Sequence, residues 1–130
     1  MPAEQLAQIL ARLPQRISDV AKPWAERSPE RLALVETSGT WTYAQLEGAI
    51  ARTEAWLRER AVRPGDRVML VCENCRAFVA MLMALARLGA WPVLVNARLS
   101  ARELDEVREH CGARLVIYTV GVSHHARVHC

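Results

Sequence analysis

The sequence predicts an α/β chain: an incomplete doubly wound parallel sheet with a βαβαβ core, preceded by an N-terminal helix and a small β-hairpin. Two observations predict it. Three short apolar runs, at 68–72, 91–95 and 115–118, have the length and continuity of strands buried on both faces. Each gap between them carries helical spacing with its own start signal. Parallel strands need a crossover and helices supply one, so the alternation reads as right-handed βαβ units in a sheet covered on both sides.

From the N-terminus, Leu6, Ile9, Leu10 and Leu13 recur at helical spacing before Pro14, a short amphipathic docking helix with one face to bury. Residues 24–27 read as a helical turn ended by Ser28-Pro29, because the residue before proline is pushed out of the α region. Residues 31–36 read as a strand, Ser38-Gly39 as a turn, and Trp41-Thr42-Tyr43 as the returning strand of a hairpin. Thr42 with Gln45 forms a capping box, and Leu46, Ile50, Thr53 and Leu57 share one face, predicting a helix over 43–60.

The turn Arg63-Pro64-Gly65-Asp66 leads into the first apolar run. Asn74 is expected to cap the next helix, 75–88, which Phe78, Val79, Met81, Leu82 and Leu85 make apolar on more than one face and which Gly89 stops. Ser100 and Glu103 form a second capping box, for a helix carrying Leu104, Val107 and Cys111. The tail 123–130 has no clear terminating signal, so the sheet reads as unfinished where the chain stops. At about 1.5 to 3 kcal/mol per buried large apolar side chain, the three strands and the Phe78 helix dominate stability.

With 130 residues, 52% hydrophobic and 24% charged, the chain suffices for one domain with a core. Its longest apolar stretch, 77–86, is far short of the roughly 20 residues of a membrane-spanning helix. The N-terminus lacks the basic, apolar, small-residue succession of a secretory signal, which favours a cytoplasmic setting. The net charge of +3 comes from 17 basic residues, Lys22 being the only lysine, scattered among 14 acids, and this argues against a nucleic-acid partner.

Five segments in order, Trp41-Thr42-Tyr43-Ala44-Gln45-Leu46, Pro64-Gly65-Asp66-Arg67-Val68, Glu73-Asn74-Cys75, Arg87-Leu88-Gly89-Ala90 and Asn96-Ala97-Arg98-Leu99, resemble the N-terminal part of AMP-forming acyl-CoA synthetases. The resemblance implies residues 1–23 as a helix and linker, and 24–130 as the first part of the large adenylate-forming domain, truncated at its C-terminus. It also implies a two-step reaction: a carboxylate attacks the α-phosphate of ATP, with magnesium, and coenzyme A takes the acyl group from the adenylate. The segments that carry this chemistry in the family lie further along. The chain alone is therefore expected to bind no cofactor and to be inactive, its partner being the remainder of the synthetase, or itself through exposed apolar surface. A non-catalytic α/β interaction or dimerisation module is the alternative.

Two segments bear on ligands. Thr37-Ser38-Gly39-Thr40 looks like the opening of the family's Ser/Thr/Gly-rich phosphate loop, but Trp41-Thr42-Tyr43 stands where a second glycine and a lysine belong, which argues for a hairpin turn. The segment Asn96-Ala97-Arg98-Leu99 matches one near the path of coenzyme A, so the resemblance implies that Arg98 meets a phosphate of its nucleotide; a planar, permanently charged guanidinium suits that role. The residues alone read Arg98 as a surface side chain of a strand-to-helix loop paired with Glu103, and Asn96 as the holder of the turn.

Cys72 and Cys75 with His110, Cys111, His124, His125, His129 and Cys130 raise the question of zinc, but a second tight ligand pair occurs only in the tail. A redox role would use a thiol at a helix N-terminus; against it, Cys72 ends a buried strand, where a thiol is a common filler. Disulfides are not expected. Ser100 is a cap rather than a nucleophile, Glu103, Asp105, Glu106 and Glu109 read as a solvated helix face, and Trp41, Trp56 and Trp91 as packing residues.

Overall fold

The computed structural model describes residues 2–130. Helix α1 (Ala3–Arg12) forms as expected, but the face expected to dock is not buried: none of its residues is buried, and Leu10 is 58% exposed. Anchoring begins at a 3-10 turn, Ile17–Asp19, which the sequence reading missed and which buries Ser18. Helix α2 (Lys22–Arg27) follows, with Trp24 stacked on Tyr43 at 5.9 Å between ring centroids.

Strands β1 (Leu32–Glu36) and β2 (Gly39–Thr42) pair antiparallel around Thr37 and Ser38, Glu36 opposite Gly39. Helix α3 (Tyr43–Glu59) starts at the predicted capping box: the Gln45 N–H donates to Thr42 Oγ1 at 3.2 Å and the Thr42 N–H to Gln45 Oε1 at 2.9 Å. It ends by donating Ala61 N–H to the Arg58 carbonyl and Val62 N–H to the Leu57 carbonyl, with Ala61 in the left-handed region at φ +55°. Val62 and Leu57 are both buried in the same core cluster, which closes this end.

Strand β3 (Arg67–Cys72) is the hub, buried from Val68 to Cys72. Helix α4 (Arg76–Leu88) follows, and here the expected cap is corrected. Asn74 is not the N-cap; Cys75 is, with extended backbone and its Sγ accepting the Phe78 N–H at 3.3 Å. A cap must be the last non-helical residue with an acceptor in reach of the third helical N–H, and one position decides which side chain that is. Gly89 stops the helix in the left-handed region as predicted.

Strand β4 (Trp91–Asn96), helix α5 (Ala101–Cys111) under its Ser100–Glu103 capping box, and strand β5 (Leu115–Tyr118) complete the predicted core. The tail, left without a reading, forms helix α6 (His124–His129), capped by Ser123 and burying Ala126. The sheet order is β4-β3-β5, all parallel.

Alternation along β3 divides the core. Val68, Leu70 and Cys72 pack with Ile50 and Leu57 of α3 and Leu85 of α4; Met69 and Val71 pack with Leu104 of α5 and Ala126 of α6. The doubly wound arrangement is thus borne out, and β3 is covered on both faces. Coverage fails at the edge: Leu94 of β4 is 52% exposed and belongs to neither cluster, and Trp91, read as a packing residue, is 67% exposed. Trp41 and Trp56 do pack against the α3–α4 cluster.

Candidate functional site at the carboxyl edge of the sheet

The loop after β3 leads to α4 on one face, whereas the loops after β4 and β5 lead to α5 and α6 on the other. Chain directions therefore diverge beside the carboxyl end of β3, the place where open α/β sheets leave a crevice for ligands. A cleft of about 460 Å³ opens there, lined by Glu73 and Asn74 after β3, Phe78 of α4, Leu94 and Asn96 of β4, and Arg98. Beside it, an apolar cavity of about 260 Å³ lies between α4 and β5, lined by Phe78, Met81 and Ile117. At its rim Thr119 Oγ1 is buried without a hydrogen-bond partner among the described residues.

The β4–α5 loop is fixed from within. Asn96 Oδ1 accepts the Arg98 N–H at 2.9 Å, as expected of the turn holder, and Ala97 between them is fully buried. Arg98 therefore projects from an anchored backbone. Its side chain is 68% exposed, and Nε donates to Glu73 Oε1 at 3.0 Å. The expected pairing with Glu103 is corrected: Glu103 Oε2 accepts the Ser100 N–H at 2.8 Å and the Ser100 hydroxyl at 2.7 Å, which turns this carboxylate to its own helix start, and Arg98 pairs with Glu73. The partner lies instead across the cleft.

Glu73 is the residue that sequence reasoning passed over. The hydroxyl of Ser123 and then the Arg98 guanidinium hold its carboxyl below the usual range. Ser123 is 1% exposed at the start of α6. Its spacing to Ala126 would have marked it as a cap, but nothing local to either residue reveals that β3 and β5 bring them together.

The other candidates sort by geometry. Thr37-Ser38-Gly39-Thr40 is a hairpin turn clamped to the start of α4: the Arg76 guanidinium donates to the Glu36 carboxylate and to the Thr40 carbonyl, and sits over the Trp41 ring at 5.2 Å. Glu36 also accepts the Arg76 N–H, so this helix N-terminus already holds an anion, and Arg76 first, then Ser38, keeps that carboxyl low. Lys22 is paired with Asp19 at 2.6 Å. Burial, then the neighbouring Cys75, pushes the Cys72 thiol up, against a reactive thiolate. Among the described residues, no group of three or more His, Cys, Asp or Glu is disposed to hold a metal ion.

A doubly wound α/β module with a ligand-sized cleft at its carboxyl edge is the class that fold and site define. Residues 21–129 match the family model of the AMP-binding enzymes, and the chain belongs to that family. It is 38% identical over 95 residues to the feruloyl-CoA synthase of an Amycolatopsis species, covering 73% of this chain and 19% of that protein. To the long-chain-fatty-acid–CoA ligase FadD13 of Mycobacterium tuberculosis it is 36% identical over 93 residues, covering 70% and 18%. The chain thus spans about a fifth of the length of these relatives. The inhibitor-bound N-terminal domain of FACL13 from Mycobacterium tuberculosis superposes with a TM-score of 0.76 at 33% identity, over 79% of this chain and 26% of that one. VinN does so with a TM-score of 0.79 at 25% identity, over 92% and 31%. No helix among the described residues is long and apolar enough to cross a membrane.

Proposed function

We propose that this chain is the opening portion of an ATP-dependent acid–thiol ligase, which joins a carboxylic or fatty acid to coenzyme A through an acyl-adenylate. The observation that carries the reading is the family match over residues 21–129, together with relatives named as CoA ligases and synthases. In the complete enzyme ATP, magnesium and coenzyme A would be the ligands. Residues 1–23 serve as a helix and linker and 24–130 as the first part of the adenylate-forming domain, in a cytoplasmic setting.

Within this portion, Arg98 is the contact for a phosphate of coenzyme A. Its support is the position at the carboxyl edge, the anchored turn beneath it and the exposure of a permanently charged donor. Adenylation is left to the rest of the enzyme. The hairpin turn at Thr37 to Thr40 is engaged by Arg76, and Lys22 by Asp19, so neither has the disposition of a triphosphate cradle.

A second reading, a non-catalytic module that associates with itself or a partner, is favoured by one observation: both sheet edges are open, and β4 presents Trp91 and Leu94 to solvent. Pyrophosphate release separates the two. The purified chain with ATP, magnesium, coenzyme A and a panel of short, long and aromatic acids should be silent, and release should appear when the remainder of a family member, itself inactive, is added. Release by the chain alone would refute the division of labour; silence in the mixture, with a stable dimer by light scattering, would favour the module.

A further inference from the structure

We infer that Glu73 is a positioning residue for Arg98: its carboxylate ties the loop after β3 to the loop after β4 and holds the guanidinium at the mouth of the cleft with both terminal amino groups free to receive a phosphate. The inference rests on the reading of Arg98 given above and adds to it how that side chain is oriented.

Three observations carry it. Glu73 follows β3 and Arg98 follows β4, so one carboxylate joins loops 25 residues apart in the chain, through Nε at 3.0 Å. The contact to Arg98 is single-pronged: among the described residues only Nε is engaged, whereas a two-pronged ion pair would occupy a terminal amino group that a phosphate needs. Glu73 is itself restrained, because it directly follows the buried Cys72 and its own side chain is only 28% exposed. A guanidinium restrained before its ligand arrives loses less side-chain freedom on binding.

A carboxylate beside an arginine also repels an anion, and the test separates that repulsion from positioning. The test titrates adenosine 3′,5′-bisphosphate, the nucleotide end of coenzyme A, into the full chain by calorimetry. Circular dichroism checks the fold of each variant, and NMR follows exchange of the Arg98 Nε–H without ligand. Arg98→Ala is expected to lose about tenfold in affinity and Glu73→Ala about fivefold, with faster Nε–H exchange. Glu73→Gln, whose amide oxygen still accepts from Nε, should stay close to the wild type. That rescue separates positioning from charge.

If Glu73→Ala and Glu73→Gln both bind as tightly as the wild type or tighter, while Arg98→Ala still loses affinity, positioning by Glu73 is wrong and the Arg98 contact stands. If the wild type does not bind, or Arg98→Ala binds equally well, the Arg98 reading fails and this inference with it. Should Glu73→Ala not fold, Glu73→Asp makes the same comparison, since a side chain shorter by one methylene draws the carboxylate back from Arg98 Nε.

Discussion

Replacing Ala61 by glycine should stabilise the protein, against the usual expectation for a substitution that removes a side chain. Three helices end in the same way, with the residue after the turn donating back to a carbonyl five positions earlier: Val62 to Leu57, Ala90 to Leu85 and Ala113 to Arg108. In two of them the left-handed position is Gly89 at φ +70° and Gly112 at φ +60°. In the third it is Ala61 at φ +55°. A β-carbon in that region costs about 1 to 2 kcal/mol, and glycine's greater freedom in the unfolded chain offsets about 0.4 to 1 kcal/mol of the relief. The net gain is about 1 kcal/mol, or roughly 4 °C in Tm for a chain of this size. Ala61 is exposed, so no packing is lost. Urea denaturation with an unchanged m-value gives the free energy directly. Gly112→Ala is the reverse experiment and should lose a similar amount, with its new β-carbon 3.7 Å from the Arg67 guanidinium. A loss of stability in Ala61→Gly would refute the account of how α3 ends.

Two further predictions concern the hairpin and acid stability. Gly39→Ala should loosen the β1–β2 turn, since Gly39 has φ +146° and a β-carbon there would lie 3.2 Å from Arg76 Nη1; faster amide exchange around Thr40 is the readout, and unchanged exchange would show that Arg76 does not clamp the turn. The carboxyls of Glu36, Glu73 and Glu103 are held below their ordinary 4.5, so the stability they contribute is complete above that pH and lost as pH falls through their folded values. Glu103→Gln keeps an acceptor for Ser100 but not the charge. Its Tm deficit against the wild type should therefore shrink from about pH 7 to about pH 3, and a deficit independent of pH would contradict the assignment.

Much of the fold was legible because local signals and the global pattern agree. Thr42 with Gln45 and Ser100 with Glu103 are start signals complete within four residues, and both boxes form. The apolar run ending at Cys72 is short and continuous, as in a strand buried on both faces, and β3 is buried so. What was missed depends on distant partners. Leu6, Ile9 and Leu10 announce a helix with a face to bury, but periodicity does not say whether anything covers it. Residue preference pointed one position too early, to Asn74, because an amide is the better acceptor; Cys75 caps instead because it is the last extended residue before the helix, with Sγ in reach of the Phe78 N–H.

The site was legible only in part. Asn96 and Arg98 could be read from a turn between strand and helix, but the choice of Glu73 over Glu103 as partner could not. Glu103 is five residues away in sequence and engaged by its own helix cap; Glu73 is brought across by the parallel pairing of Cys72 with Asn96. Sheet register, not sequence distance, decides which charges meet.

The most direct test of the central claim, that the carboxyl edge of the β4-β3-β5 sheet faces the ligands, is a backbone amide NMR titration of the chain with coenzyme A and, separately, with ATP and magnesium. The account predicts that coenzyme A shifts amides at 73–74, 96–99 and 119–123 and leaves 37–40 unmoved. Shifts confined to the hairpin turn at 37–40, above all with ATP, would contradict it and return that turn to consideration as a phosphate site.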